Sequence, residues 1–436
     1  MSIDSLSAAA KVGSKSLLLK NASFIHWKTL EISTKNILVE EGNGGGIQFL
    51  DIIPENNSFQ IIDCTGKFVT KSFAIGHHHA YSAMAKGMPA PAKNPQNFFE
   101  VLKYIWWNLD TCLDREMVEY SALVTAMACM KAGSSFIIDH HASPAYIRGS
   151  LGLMAKAFEK VGMSHLLCYE LTDRNGSEGA QEGLEETESY LSDHQGLVGL
   201  HASFTVNDQL LKSAVKLSEK YQTGIHIHVA EDAYDQKHCT EYYGKRVVER
   251  LSDAGAMTSS KSLLVHALHL SDQERSIIRQ SPVWVVQNAE SNMNNNVGFF
   301  NSAGLGEHIL LGTDGMHSDM LQSARSTFLA GQHHDPMTYS GTYERFRKVH
   351  DYLQINQFKG DGENNLVILN YDTGTELTSS NFAGHFLFGF KSEHVNSLIS
   401  NGKLVMHDRK ILTIDEEAIL AESRKLAHRL WNKMKA

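Results

Sequence analysis

"SFAIGHHH", residues 72–79, is an apolar run that stops at three consecutive histidines, and the pattern recurs along the chain. Seven more short apolar runs end in polar or ionisable residues. They are "SSFIIDHH" (134–141), "SHLLCYEL" (164–171), "GLVGLHAS" (196–203), "GIHIHVAED" (224–232), "SLLVHALH" (262–269), "PVWVVQNAE" (282–290) and "HILLGTDG" (308–315). Stretches with helical character lie between most of them, such as "NDQLLKSAVKLSEKY" (207–221) and "GKRVVERLSDAG" (244–255). Buried strands alternating with helices signal a parallel sheet, and eight such units predict an α/β fold of the (β/α)8 TIM-barrel type. In that fold, chemistry sits at the C-terminal ends of the strands. Here each run carries its polar residues at that end.

Both chain ends read differently. "SLLLKNASFIH" (16–26), "KNILVEEG" (35–42) and "FQIIDCTGKFV" (59–69) read as antiparallel strands, with "GNGGG" (42–46) as a turn. No Lys-Ser/Thr pair or helix start follows those glycines, so they do not read as a phosphate cradle. "NNLVILNY" (364–371), "VNSLISNGKLVM" (395–406) and "RKILTID" (409–415) are again strand-like, and "EEAILAESRKLAHRLWNKM" (416–434) is an amphipathic closing helix. The layout predicts a small β-sandwich domain built from residues 1–68 and 361–436, around a barrel spanning residues 69–360.

The 436 residues are 42% hydrophobic with only seven prolines, enough for a sizeable core and without marks of disorder. A net charge of -9 leaves no basic surface for a nucleic-acid polymer. No uncharged apolar stretch reaches the roughly 18 residues of a membrane span, and "MSIDSLSAAAKVGSKSLLLK" (1–20) has no continuous apolar signal core. Five scattered cysteines without a CxxC pair suit free thiols. The expectation is a soluble, cytoplasmic protein.

Alternation along a strand points His77 and His79 the same way and His78 the other. The fifth run repeats the device, with His226 and His228 on one face and Glu231 just beyond. His266 ends the sixth run and Asp314 the eighth. Imidazoles and a carboxylate converging from several strand ends are the donor set of a divalent metal site. Between the first and second runs, "NPQNFFEVLKYIWWNLD" (94–110) is an aromatic helical stretch, either a lid whose Trp106 stacks on a flat substrate or ordinary packing. Ser291, Asn292 and Asn294 are candidate contacts to a heterocycle, although Asn-rich loops also serve as turns. His141, or its neighbour His140, is a candidate to line the site or orient a ligand. His238, His269, His333 and His334 read as structural or surface residues.

The segments "HHHAYSAMAKGM", "DHHASP", "GLHASF", "HIHVAED", "VHALHL", "NAESNMNNNVG", "LGTDGM" and "NFAGHFLFG" together resemble the amidohydrolase superfamily. The likeness covers nearly the whole chain and is strongest to the cytosine and guanine deaminase, S-adenosylhomocysteine deaminase and triazine hydrolase branch, SsnA-type aminohydrolases above all. That resemblance implies His77, His79, His228 and Asp314 as metal ligands, Glu231 as the proton shuttle, His266 as the partner of the attacking water or the developing oxyanion, and His201 as a substrate contact. The lysine that bridges two metals in binuclear members is missing from "GLVGLHASF", so one divalent metal is implied, zinc before Fe2+ or Mn2+.

The expected reaction is hydrolytic deamination of a small nitrogen heterocycle such as a purine or pyrimidine. Metal binding lowers the pKa of water from 15.7 towards about 7, Asp314 takes the proton, and Glu231 protonates the ring nitrogen and then the departing amine. The alternatives are cyclic-amide or carbon–halogen hydrolysis, and an inactive barrel serving as an assembly subunit. Relatives imply a homo-oligomer. Two departures stand out: Lys71 and Ser72 replace the usual Pro-Gly before the first strand, and Gln287 stands where many relatives carry histidine. His317, three residues after Asp314, either reaches the pocket or caps the next helix.

Overall fold

The computed structural model describes residues 16–54 and 59–435; the first 15 residues, assigned above to the terminal β-domain, lie outside them. Five strands open the described chain: β1 (Leu17–Ile25), β2 (Ile32–Val39), β3 (Ile47–Leu50), β4 (Gln60–Asp63) and β5 (Phe68–Lys71). Eight strands follow, one for each apolar run. They are β6 (Phe73–His78), β7 (Ser134–His141), β8 (Ser164–Leu171), β9 (Val198–Ala202), β10 (Ile225–Val229), β11 (Leu263–His266), β12 (Trp284–Gln287) and β13 (Ile309–Leu311). They pair in parallel and in chain order from β6 to β13. Backbone bonds close the ring: Thr313 and Asp314 both donate to the His77 carbonyl, at 3.0 and 3.2 Å. The seam is tight, since a Cβ on Gly76 would stand 2.6 Å from the Leu311 carbonyl oxygen. Glycine is required there.

Alternate residues of these strands fill the barrel. Phe136, Ile138, Leu166, Cys168, Val265 and Trp284 belong to one buried cluster, while the intervening Ile137, Leu167 and Leu264 pack outward in the cluster that includes the surrounding helices. Ala74 belongs to the inner cluster, yet His77, three residues later, also reaches the barrel interior. The pairing of β6 with β7 shifts between Ile75 and His78, which changes the parity. The histidine pair therefore faces inward because of an irregularity, not through strict alternation from the strand's start.

Four more strands, β14 (Leu366–Leu369), β15 (Val395–Ser400), β16 (Lys403–His407) and β17 (Lys410–Ile411), join the first five in one nine-stranded mixed sheet. The terminal β-domain thus rests on a single connected sheet, with a helix at Glu416–Lys433. One expectation fails here. "FQIIDCTGKFV" forms two strands, β4 and β5, and both run parallel to β1. The β2–β3 hairpin occupies one edge of β1 around the predicted turn at Gly42, so the chain must cross back and enter the other edge in the same direction. Among the described residues, no helix is long and apolar enough to cross a membrane.

Candidate metal centre and active-site pocket

Four side chains from β6, β10 and the end of β13 converge at the C-terminal mouth of the barrel. Asp314 Oδ1 lies 3.5 Å from His77 Nε2 and 3.1 Å from His79 Nε2. His79 Nε2 lies 3.2 Å from His228 Nε2. Ligands held 2.0–2.2 Å from one tetrahedral ion stand about 3.4 Å apart. The set has that spacing.

The other ring nitrogens fix which atoms face the centre. His79 Nδ1 donates to the His140 carbonyl at 2.7 Å and His228 Nδ1 to the His201 carbonyl at 2.8 Å. His77 Nδ1 is 2.9 Å from His226 Nε2, and His226 Nδ1 reaches Cys168 Sγ at 3.5 Å. Each of the three rings therefore turns Nε2 inward, and His77 Nε2 is buried with no hydrogen-bond partner. Facing lone pairs beside a carboxylate repel unless a positive charge lies between them. Burial opposes a charge on His79, but Asp314 outweighs it and lifts that ring to about 9. His77 and His228 are held well below the ordinary histidine value, first by burial and then by neighbouring histidines. Burial would raise Asp314, but the His77 and His79 rings beside it hold it well below the usual carboxylate range. The donor set fits a divalent cation.

Glu231 and His266 stand beside this cradle. His266 Nε2 is 3.4 Å from Glu231 Oε2 and 3.7 Å from Asp314 Oδ2. Burial, then the Asp314 charge, pushes the Glu231 carboxyl well above its ordinary range, which keeps it a proton carrier. His266 Nδ1 is held by Asn292 Oδ1 at 2.8 Å. Left-handed backbone at Ala230, His266, Ala267 and Asp314, with φ of 47°, 71°, 53° and 53°, turns the strand ends toward the centre. No glycine relieves those positions, so the mouth stores strain.

The cradle opens into a cavity of about 60 Å3. Phe98, Leu102, Trp106 and Trp107 cover it, while Tyr81, Glu170, His201, Ser291, Asn295 and Met316 form much of the remaining wall. The aromatic stretch does form the roof. A wide turn over Leu102–Trp106, in which the Trp107 amide donates to the Leu102 carbonyl, places both tryptophans against the pocket. A larger cleft of about 800 Å3 lies at the N-terminal end of the barrel, between residues such as Ser164, Gly196 and Thr223 and the terminal sheet. None of the candidate metal clusters touches it.

The structure places His77, His79, His228, Asp314, Glu231, His266, His201, Trp106 and Ser291 together at the mouth of the barrel. Two expected substrate contacts fall elsewhere. Asn292 lies outside the pocket lining, its amide oxygen bonded to His266, and His141 turns its Nε2 onto Ser143 Oγ at 2.8 Å. His78 faces away, bonded to Ser318 Oγ at 3.0 Å, and Gln287 accepts from Arg345 at 2.7 Å. His317 pairs with Glu290 and accepts from the Asp319 amide at the start of the next helix, Met320–His334. Sequence reasoning missed Glu170 and the support of His77 by His226. Glu170 carried a usable signal, being the last inward position of β8 after Leu166 and Cys168.

The amidohydrolase family model matches residues 76–343. The chain is 27% identical to a 5-methylthioadenosine/S-adenosylhomocysteine deaminase of Syntrophomonas wolfei, over 87% of this chain and 91% of that protein. Its fold matches an adenosine deaminase from Xanthomonas campestris with bound zinc, at a TM-score of 0.79 and 16% identity over 95% and 98% of the two chains. It also matches an atrazine chlorohydrolase from Arthrobacter aurescens complexed with zinc, at 0.75 and 13% identity over 94% and 100%.

Proposed function

This chain belongs to the amidohydrolase family, and from that premise we propose that it hydrolytically deaminates a nitrogen heterocycle with one divalent metal held by His77, His79, His228 and Asp314. The observation that carries the reading is the inward-facing set of three Nε2 atoms and one carboxylate, with Glu231 and His266 beside it. Deaminase relatives over most of the chain length support the leaving group. Histidine-rich donors and zinc in related folds favour Zn2+.

A divalent metal bound there would polarise a water molecule and lower its pKa from 15.7 to about 7. Asp314 accepts the proton that the water gives up. Glu231, kept protonated by burial, donates to the ring nitrogen beside the attacked carbon, which gains the water oxygen. His266, oriented by Asn292, stands where negative charge develops on that oxygen. Glu231 then takes the proton of the added hydroxyl as the carbon–oxygen bond becomes a carbonyl and passes it to the amine, which leaves as ammonia, and the proton held by Asp314 restores Glu231. Trp106 and Trp107 cover the ring and exclude bulk water, and His201 and Ser291 contact its edges. The enzyme works in the cytoplasm, where its five unpaired cysteines stay reduced.

Replacing Glu231 with Gln removes the shuttle and keeps the cradle. The variant should retain its metal and lose about 10^2- to 10^4-fold in turnover, read by ammonia release and elemental analysis. Wild-type turnover by that variant would refute the mechanism.

A further inference from the structure

Glu170 faces the pocket with part of its bonding capacity unused. It ends the inward face of β8, is 3% exposed and lines the cavity. Among the described residues, Arg174 Nη2 and His140 Nδ1 approach it, each 3.4 Å away and on different oxygens. Arg174 is chiefly engaged by Asp110, which it grips with both Nη1 and Nη2. A carboxylate accepts about four hydrogen bonds, and a buried one short of donors is costly. Glu170 lies within 4.8 Å of the His201 and His228 ring nitrogens, whereas Glu231 adjoins His266, so the two carboxyl groups serve different edges of whatever fills the pocket.

The pocket's cover is the second constraint: Phe98, Leu102, Trp106 and Trp107 close over it. The roof is pinned as well as closed. Asp110 at its end is tied to Arg174, and Asn108 Nδ2 donates to the Met434 carbonyl at 3.0 Å.

Resting on the deaminase reading above, we propose that the substrate is a free heterocyclic base whose ring N–H donates to Glu170, and that Glu170 thereby excludes the N-glycoside. A sugar on that nitrogen removes the donor, leaves the carboxylate's pocket-facing lone pairs unmet and adds bulk beneath the roof. A site built to bond a substrate N–H rejects the analogue lacking it by up to about 10^4-fold.

The test is binding, which does not depend on turnover. Metal-loaded, full-length Glu231→Gln protein is titrated calorimetrically with adenine and adenosine, guanine and guanosine, and cytosine and cytidine. At least one base should bind about 10^2-fold more tightly than its nucleoside. Adding Glu170→Gln or, separately, Glu170→Ala should shrink that preference about tenfold or more with metal content unchanged. Equal binding of nucleosides, no binding of any free base, or a preference that survives both replacements would overturn the proposal. Selective binding of a base from which the wild type releases no ammonia would instead overturn the deaminase reading and leave the role of Glu170 standing.

Discussion

The two ends of the barrel both bury charge, and they treat it in opposite ways. At the floor, Lys71 is 2% exposed, yet its ammonium donates to the carbonyls of Asp361 and Gly362 at 3.1 and 3.0 Å and pairs with the Asp361 carboxylate at 3.5 Å. His350 pairs with the same carboxylate at 2.8 Å, and Arg347 donates to the carbonyls of Lys71 and Ser72 at 3.1 and 2.9 Å. None of these residues has a positive φ. At the mouth, His77 Nε2 has no partner, three imidazole nitrogens converge on a carboxylate, and four non-glycine residues are left-handed. Buried charge alone therefore marks structure as readily as function. Convergence of imidazole nitrogens and carboxylates on one point marks the site.

Substitutions at the two ends should fail in opposite ways. The largest effect belongs to His79→Ala, which removes a ligand from the mouth: stoichiometric metal and turnover should both vanish while the chain stays folded, by elemental analysis, ammonia release and circular dichroism. Retained activity there would place the metal elsewhere. At the floor, Lys71→Met leaves the Asp361 carboxylate to His350 alone and should cost about 1–3 kcal/mol of unfolding free energy in denaturant titration, with activity per folded molecule unchanged. Full stability would mean that the floor is not held by its ion pairs. Asn292→Ala loosens His266 without touching the cradle and should lower kcat about 10- to 100-fold with metal retained.

The smallest effect is a proton count. Without metal, His79 titrates near 9, so at pH 7.5 it carries a proton that a divalent ion must displace. Calorimetry in buffers of different ionisation enthalpy should report about one proton released per metal bound, and metal affinity should rise with pH up to about 9. A buffer-independent heat would contradict the cradle's electrostatics.

Much of the site was legible because the barrel places its chemistry at strand ends, and His77, His79, His228, Glu231, His266 and Asp314 all sit there. What alternation could not supply was parity. The shift in β6 that brings His77 inward and the left-handed turn that aims His266 depend on pairing with neighbouring strands. Asn292 looked like a substrate contact because an amide's partner cannot be read from its own loop; the ring that occupies it comes from the preceding barrel strand. Glu170 went unread, although its inward position followed from Leu166 and Cys168, because its partners His140 and Arg174 come together only once β7, β8 and the roof are assembled. The parallel course of β4 and β5 was hidden for the same reason: strand direction is set by which edge of β1 is already taken.

The central claim is tested most directly by titrating metal-free protein with Zn2+ and following ammonia release from a free heterocyclic base. Activity should rise linearly, level off at one equivalent per chain, and yield one ammonia per ring consumed. Turnover without metal, saturation at two equivalents, or ring consumption without ammonia would contradict it.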